Sequence, residues 1–446
     1  MPAFSSLPDS SSVNSFFDYY RGDYGLDKLD LGVRYSSKNQ FINISGFKRS
    51  SLGNFGHYIH PSRSGGPIHQ SYRIDYSKKN LKDRIEVSVA RFITSSGIPD
   101  FIQNGSENDN IVSSGINYEK NLINWKVRSY FSQFAQHRTL THSLYTDSIS
   151  KYINRNQFDF QLANSNGYEF GVNQKFQLFN SSNNLRSIAW SSLYMRKRFT
   201  KFSIMAGIQT SNNEIYEPYT FLVNYQNVTR YGSFSLFVLS ESQPAHPDAN
   251  KSYTNDLESK LKSSMNYEIS NKKLSLAASL SDVKINAKDL YNYNQSLVGL
   301  KIIYSLNTGW NIYYKTVKPI SLSQENILGA ISRSGLKGRF ALFQDNMKIN
   351  FHIWADTYVN HNDSFTFDPF LQYYSRNKEN NFEIINRNLA HLEIQSNISG
   401  VLLNYKIYNL LNALGSSNED TFFKPNSIYP EIGRMMQFGV TWYFDN

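Results

Sequence analysis

The sequence predicts an all-β fold, a large antiparallel transmembrane β-barrel. Three observations carry the prediction: an aromatic yet polar composition, side-chain alternation with a period of two, and no apolar run long enough for a spanning helix. Of 446 residues, 31 are Tyr, 31 Phe and 5 Trp, while mean hydropathy is −0.49 and only 18 % of residues are charged. Disorder would require few aromatics and a high net charge. A soluble α/β protein would use more Ala, Leu, Glu and Lys and less Asn, Ser and Tyr. A wall with one face to lipid and one to a wet lumen explains both traits, because every second side chain is hydrophilic.

A spanning helix needs about 18 consecutive apolar residues, and the chain has no such stretch. Strands must therefore do the crossing. In lipid every backbone N–H and C=O needs an internal partner, and apart from helices only a closed barrel supplies one. No Pro/Gly/Ser-rich linker divides the chain, so residues 27–446 are expected to form one barrel. Residues 1–26 are expected to precede it, as a flexible segment or one lying partly inside. The opening MPAFSSLPDSSSVNSFF lacks the basic start and apolar core of a signal peptide, so an export signal is expected upstream of Met1. The absence of Cys suits an oxidising periplasmic route, where stray thiols risk wrong pairing.

The alternation begins at Leu29, Leu31, Val33 and Tyr35, with Asp30, Gly32 and Arg34 on the other face. It recurs at Tyr168, Phe170, Val172, Phe176 and Leu178, at Phe202, Ile204, Ala206 and Ile208, and at Leu274, Leu276, Ala278 and Leu280. It persists through Met347, Ile349, Phe351 and Ile353 and through Val401, Leu403, Tyr405 and Ile407. Tight turns are predicted at Ser36-Ser37-Lys38-Asn39, Ser165-Asn166-Gly167, Ser270-Asn271-Lys272-Lys273 and Asn307-Thr308-Gly309, where residues tolerant of left-handed backbone cluster. Longer polar stretches at 50–66, 94–109, 135–153, 241–254 and 361–385 read as external loops. Short periplasmic turns alternating with long extracellular loops are the pattern of outer-membrane barrels. At about 20 residues per strand and its loop, the chain supplies roughly 18 to 22 strands. A barrel of that size encloses a wide lumen.

The last strand carries the most specific signal. In RMMQFGVTWYF (434–444), Met436, Phe438, Val440, Trp442 and Phe444 share one face, and Gln437, Gly439, Thr441 and Tyr443 the other. Phe438, Val440, Trp442, Tyr443 and Phe444 are the candidate barrel-closure and assembly residues, with Trp442, Tyr443 and Phe444 in an interfacial aromatic girdle. A terminal aromatic strand resembles the signal read by the barrel-assembly machinery, although here Asp445 and Asn446 follow Phe444.

Upstream, YKIYNLLNA (405–413), IYPEIGR (428–434) and GVTWYF (439–444) resemble the C-terminus of TonB-dependent receptors. In that family the penultimate strand runs into Asn-Leu-Phe-Asn, and a Pro-Gly-Arg-like motif opens the last strand. Asn409, Leu410, Leu411 and Asn412 match the first with Leu for Phe, and Gly433 and Arg434 match the second with Pro430 displaced. The resemblance implies a barrel in the Gram-negative outer membrane that moves a nutrient across it. The family's plug domain and energy-coupling box have no counterpart before Leu29, so a passive porin-like channel and a structural barrel anchoring a surface partner stand as alternatives. Expected partners are outer-membrane lipid and lipopolysaccharide, the barrel-assembly machinery, an energy-coupling or surface lipoprotein partner, and a small-molecule solute.

Other constellations have plainer readings. His57, His60 and His69 could in principle bind Zn or Cu, but no Cys or nearby carboxylate joins them, and a long loop gathers such residues anyway. Arg21-Gly22-Asp23 matches a cell-adhesion tripeptide and fits a turn equally well. The run Arg196-Lys197-Arg198 and the net charge of +10 suit anionic solutes in the lumen, lipopolysaccharide phosphates outside, or a solvated surface. Aromatics spread evenly along alternating strands point to lipid contact rather than nucleic-acid stacking. No nucleophile elbow, paired-metal motif or phosphate loop is present, so no catalytic residue, metal or cofactor is expected.

Overall fold

The computed structural model describes residues 11–51, 67–98, 105–141, 149–181, 184–212, 218–244, 257–287, 291–307, 309–320, 329–362, 365–368, 373–376, 384–413 and 433–445. Twenty-two antiparallel strands form one sheet that closes on itself. The first half comprises β1 (Ser12–Gly22), β2 (Leu26–Ser36), β3 (Gln40–Ser50), β4 (Ile68–Lys79), β5 (Asp83–Ile98), β6 (Gly105–Asn121), β7 (Trp125–Thr141), β8 (Ile149–Asn164), β9 (Tyr168–Ser181), β10 (Asn184–Arg198) and β11 (Phe202–Ser211). The wall continues through β12 (Tyr219–Thr229), β13 (Gly232–Pro244), β14 (Leu257–Ser270), β15 (Leu274–Ala287), β16 (Tyr291–Asn307), β17 (Trp310–Pro319), β18 (Ala330–Leu342) and β19 (Met347–Asn362). A separate hairpin, β20 (Phe365–Asp368) with β21 (Tyr373–Arg376), precedes β22 (Ile384–Ile398), β23 (Val401–Tyr408), a helical turn at Leu410–Ala413 and β24 (Met435–Asp445). Each wall strand pairs with the next, β19 pairs β22 across the hairpin, and β1 pairs β24. The strand number lies at the top of the predicted range.

Because successive side chains point to opposite faces, the alternation sorts the chain into a lipid face and a lumen face. Leu31, Val33, Ile44, Ile74 and Val89 are exposed on the outer face of β2–β5. Their sequence neighbours Asp30, Asn43, Asp75 and Ser88 point inward, where Asn43 Nδ2 and Ser88 Oγ donate to Asp75 at 3.2 and 2.7 Å. Aromatic rings gather at the short-turn end, with Phe199 stacked on Phe202 at 4.2 Å and Trp442 on Phe444 at 4.9 Å between ring centres. Trp442, whose ring carries a polar N–H, is the amphipathic member of these pairs and suits a membrane–water boundary.

The predicted tight turns at 36–39, 165–167 and 270–273 are present, and in the fourth, at 307–309, Thr308 lies outside the described residues. Gly167 and Gly309 sit at φ +81° and +113°, backbone that a side chain resists. Asn271 Oδ1 accepts the N–H groups of Lys273 and Leu274 at 2.9 and 2.8 Å, an Asx turn that fixes the β14–β15 connection.

Three stretches differ from the sequence reading. Within the segment 1–26, residues Ser12–Gly22 are strand β1 of the wall, held between β2 and β24. Its alternation is masked because Phe16-Phe17 and Tyr19-Tyr20 put an aromatic ring on both faces. The stretches 94–109 and 135–153 are largely strand as well, since β5 runs to Ile98, β6 starts at Gly105, β7 runs to Thr141 and β8 starts at Ile149. There Asn108, Asn110 and His137 occupy the outer face, so both faces are polar and the apolar rhythm that marks a membrane strand disappears.

Candidate functional site

The chemistry converges on the inner wall. On β4–β10 its cations are extensively matched by carboxylates. Arg73 Nε lies 2.9 Å from Asp75 Oδ2, and Arg84 pairs with Glu86. Lys126 Nζ and Arg128 Nη2 lie 2.7 and 3.0 Å from the two oxygens of Glu119, and Arg138 Nη2 lies 2.6 Å from Glu107 Oε2. The predicted basic run belongs to this pattern. Arg196 and Arg198 both bind Glu169, while Lys197 points outward, its ammonium 3.5 Å from the Tyr168 ring centre and 2.8 Å from the Asn166 carbonyl oxygen. Glu169 thus offsets part of the run's charge at the short-turn rim.

The sector formed by β16–β19 is different. Lys301 stands directly opposite Lys315, Lys315 opposite Arg333, and Arg333 opposite Asp356. Arg333 grips Asp356 through Nε at 2.5 Å and Nη2 at 2.8 Å, and His391 Nε2 lies 3.4 Å from Asp356 Oδ2. Beneath the cations runs an aromatic ladder. Tyr313, His352, Trp354, His391 and Tyr408 follow one another at 5.7, 4.3, 5.0 and 5.7 Å between ring centres. Tyr313 and Trp354 are buried, and the Tyr313 hydroxyl lies 2.7 Å from His352 Nε2. Lys315 and Lys337 hold their ammoniums 5.8 and 5.6 Å from the Tyr313 ring centre, and the Arg333 guanidinium stands 5.9 Å from that of Trp354. Sequence reasoning missed this sector because the cations come from separate strands, and only the register aligns them.

The two motifs lie at the end of β23 and at the start of β24. Asn409 takes a left-handed φ of +57° as the chain leaves β23, and its N–H donates to His391 Nδ1 at 3.3 Å. Arg434 Nε stands 3.8 Å from Asp23 Oδ2, and the same oxygen accepts the Met436 N–H at 2.8 Å. The Arg-Gly-Asp tripeptide is therefore built into the closure rather than displayed. Burial and the Asp23 carboxylate raise the Tyr24 hydroxyl pKa above its usual value, so the group stays protonated and donates to the Arg434 carbonyl oxygen at 3.1 Å.

Strand β24 places Phe438, Trp442 and Phe444 outward, with Phe438 and Trp442 about half exposed at 51 and 48 %. Val440 lies opposite Tyr19, and Tyr443 opposite Phe16. On the inner face Thr441 donates to Asp18, and the Tyr20 ring lies over Gly439 while its hydroxyl accepts from Asn404 Nδ2 at 2.9 Å. Of the three histidines, His57 and His60 lie outside the described residues. His69 stands on β4 with Nδ1 3.5 Å from Thr94 Oγ1 and its ring 6.1 Å from Phe92.

No protein-family model and no characterised protein matches the chain by sequence. Solved structures do match its fold. The FrpB iron transporter from Neisseria meningitidis superposes with a TM-score of 0.68 at 11 % identity, covering 99 % of this chain and 82 % of that one. A mutant of the ferric enterobactin receptor PfeA from Pseudomonas aeruginosa gives 0.68 at 9 % identity, over 99 % and 81 % of the two chains. BauA, the ferric preacinetobactin receptor from Acinetobacter baumannii, gives 0.64 at 9 % identity, over 98 % and 80 %. At such identities the likeness concerns architecture: the chain has the fold of an outer-membrane receptor barrel.

Proposed function

We propose that this protein is an outer-membrane barrel of the TonB-dependent-receptor type that moves a nutrient across the outer membrane through its lumen. The observation that carries the reading is the closed 22-stranded wall with a polar inner face, matched over 99 % of the chain by an iron transporter. Barrels of this size are too wide for side chains to fill, so their interior is available to solute. The C-terminal motifs support the same reading, because Arg434 pairs with Asp23 at the barrel closure and Asn409 ties the end of β23 to β22. In this account Phe438, Val440, Trp442, Tyr443 and Phe444 form the strand that the barrel-assembly machinery reads, and the outer face meets lipid and lipopolysaccharide.

Accumulation of labelled ferric chelates and siderophores, compared between cells that express the chain and cells that lack it, tests the proposal. Uptake of at least one complex above background is expected. A folded, membrane-inserted protein that raises uptake of none would contradict it. Steady open-channel currents in planar bilayers would instead assign the lumen to passive diffusion.

A further inference from the structure

We infer that the β16–β19 sector of the lumen wall is a binding site for a small polyanion, a solute carrying two or more carboxylate or phosphate groups. The inference rests on the reading of the lumen as the solute's route and names the class of solute. Side chains directly opposite on antiparallel strands have Cβ atoms about 5 Å apart, and like charges so placed repel. The register imposes this repulsion twice in one row, Lys301 on Lys315 and Lys315 on Arg333. On β4–β10 the same wall neutralises many of its cations with carboxylates from the same or adjacent strands. Here the carboxylate in the row, Asp356, is already gripped by Arg333, and Lys301, Lys315 and Lys337 have no carboxylate within 4.0 Å among the described residues.

The patch is also one-sided in hydrogen bonding. An ammonium offers donors and no acceptor. Lys315 and Lys337 are exposed, and both stand beside the Tyr313 ring, which biases where their ammoniums sit. An anion bridging Lys301 and Lys315 would relieve their repulsion and accept from both ammoniums, with Lys337, beside the same Tyr313 ring as Lys315, as a further donor. Charge-assisted bonds of this kind are the stronger class.

The test is isothermal titration of the purified full chain in detergent with citrate and, separately, with pyrophosphate. Saturable binding of at least one is expected, weakened about tenfold or more in the Lys301→Gln/Lys315→Gln double variant, since each lost charged hydrogen bond is substantial. Arg73→Gln removes a lumen charge from the paired half of the wall and should change affinity less than about twofold, because distant charges are screened. Saturable binding of neither anion would overturn the site. So would equal weakening by Arg73→Gln, which would make the effect one of overall charge. Folding of each variant is checked by its heat-dependent mobility on gels, and Lys337→Gln gives a second, independent substitution expected to weaken binding. Binding is read without transport: retained uptake with no polyanion binding would remove the site and leave the transport reading, and intact binding without uptake would do the reverse.

Discussion

The Asp23 carboxylate accepts the backbone N–H of Met436 at 2.8 Å, joining the turn after the first strand to the start of the last across 413 positions of sequence. The junction lies at the end of the β1–β24 ladder that closes the wall, and an unclosed sheet in lipid would leave two rows of unpaired backbone groups. Asp23→Ala removes the acceptor of a charged hydrogen bond and the partner of Arg434, and should cost about 1.5–3 kcal/mol. Urea unfolding of reconstituted protein, followed by the loss of the fast-migrating folded band on gels, measures it.

Gly439 is required by its neighbour. A Cβ at this position would overlap the Tyr20 ring, which Asn404 holds in place through the Tyr20 hydroxyl. Gly439→Ala should destabilise the barrel by about 1–3 kcal/mol through overpacking. Adding Tyr20→Ala should recover part of that loss, and a double-mutant cycle in which the two changes simply add would refute the contact.

Val440 lies on the outer face of β24, opposite Tyr19. Val440→Arg should cost about 2–4 kcal/mol if the position lies near the bilayer midplane. Thr441, by contrast, is buried and donates to Asp18, so a large side chain is not tolerated there either. The informative partner is Thr441→Val, which keeps the volume and loses about 1–3 kcal/mol because the Asp18 carboxylate loses a donor.

The cationic row carries a stability cost of its own. Lys315→Gln removes two like-charge oppositions, to Lys301 and to Arg333, and should raise stability by about 0.2–1 kcal/mol per pair. A stabilising substitution at a residue that also weakens polyanion binding is the signature of a site maintained for function.

Much of this fold is legible in the sequence because a membrane strand must alternate. Leu31 and Val33, Ile204 and Ile208, and Phe438 and Trp442 all face outward as their spacing requires. Asn271 and Gly167 likewise announce their turns through local backbone chemistry. Legibility ends where the lipid constraint ends. Strand β1 carries rings on both faces, and the upper parts of β6 and β7 are polar on both, so neither shows the rhythm. The lumen sector was hidden for another reason. Lys301, Lys315 and Arg333 are ordinary isolated cations until strand register sets them in one row, and register is a property of the assembled sheet.

The most direct test of the central claim, a lipid-facing wall around an aqueous lumen, is thiol labelling in native membranes. The chain contains no Cys, so each engineered thiol reports alone. Single Cys variants at Lys315 and Lys337 on the inner face, and at Ile312 and Tyr314 on the outer face, are treated with a charged, membrane-impermeant maleimide. The account predicts rapid labelling at Lys315→Cys and Lys337→Cys and almost none at Ile312→Cys and Tyr314→Cys. Equal labelling of the two sets, or the reverse order, would contradict it.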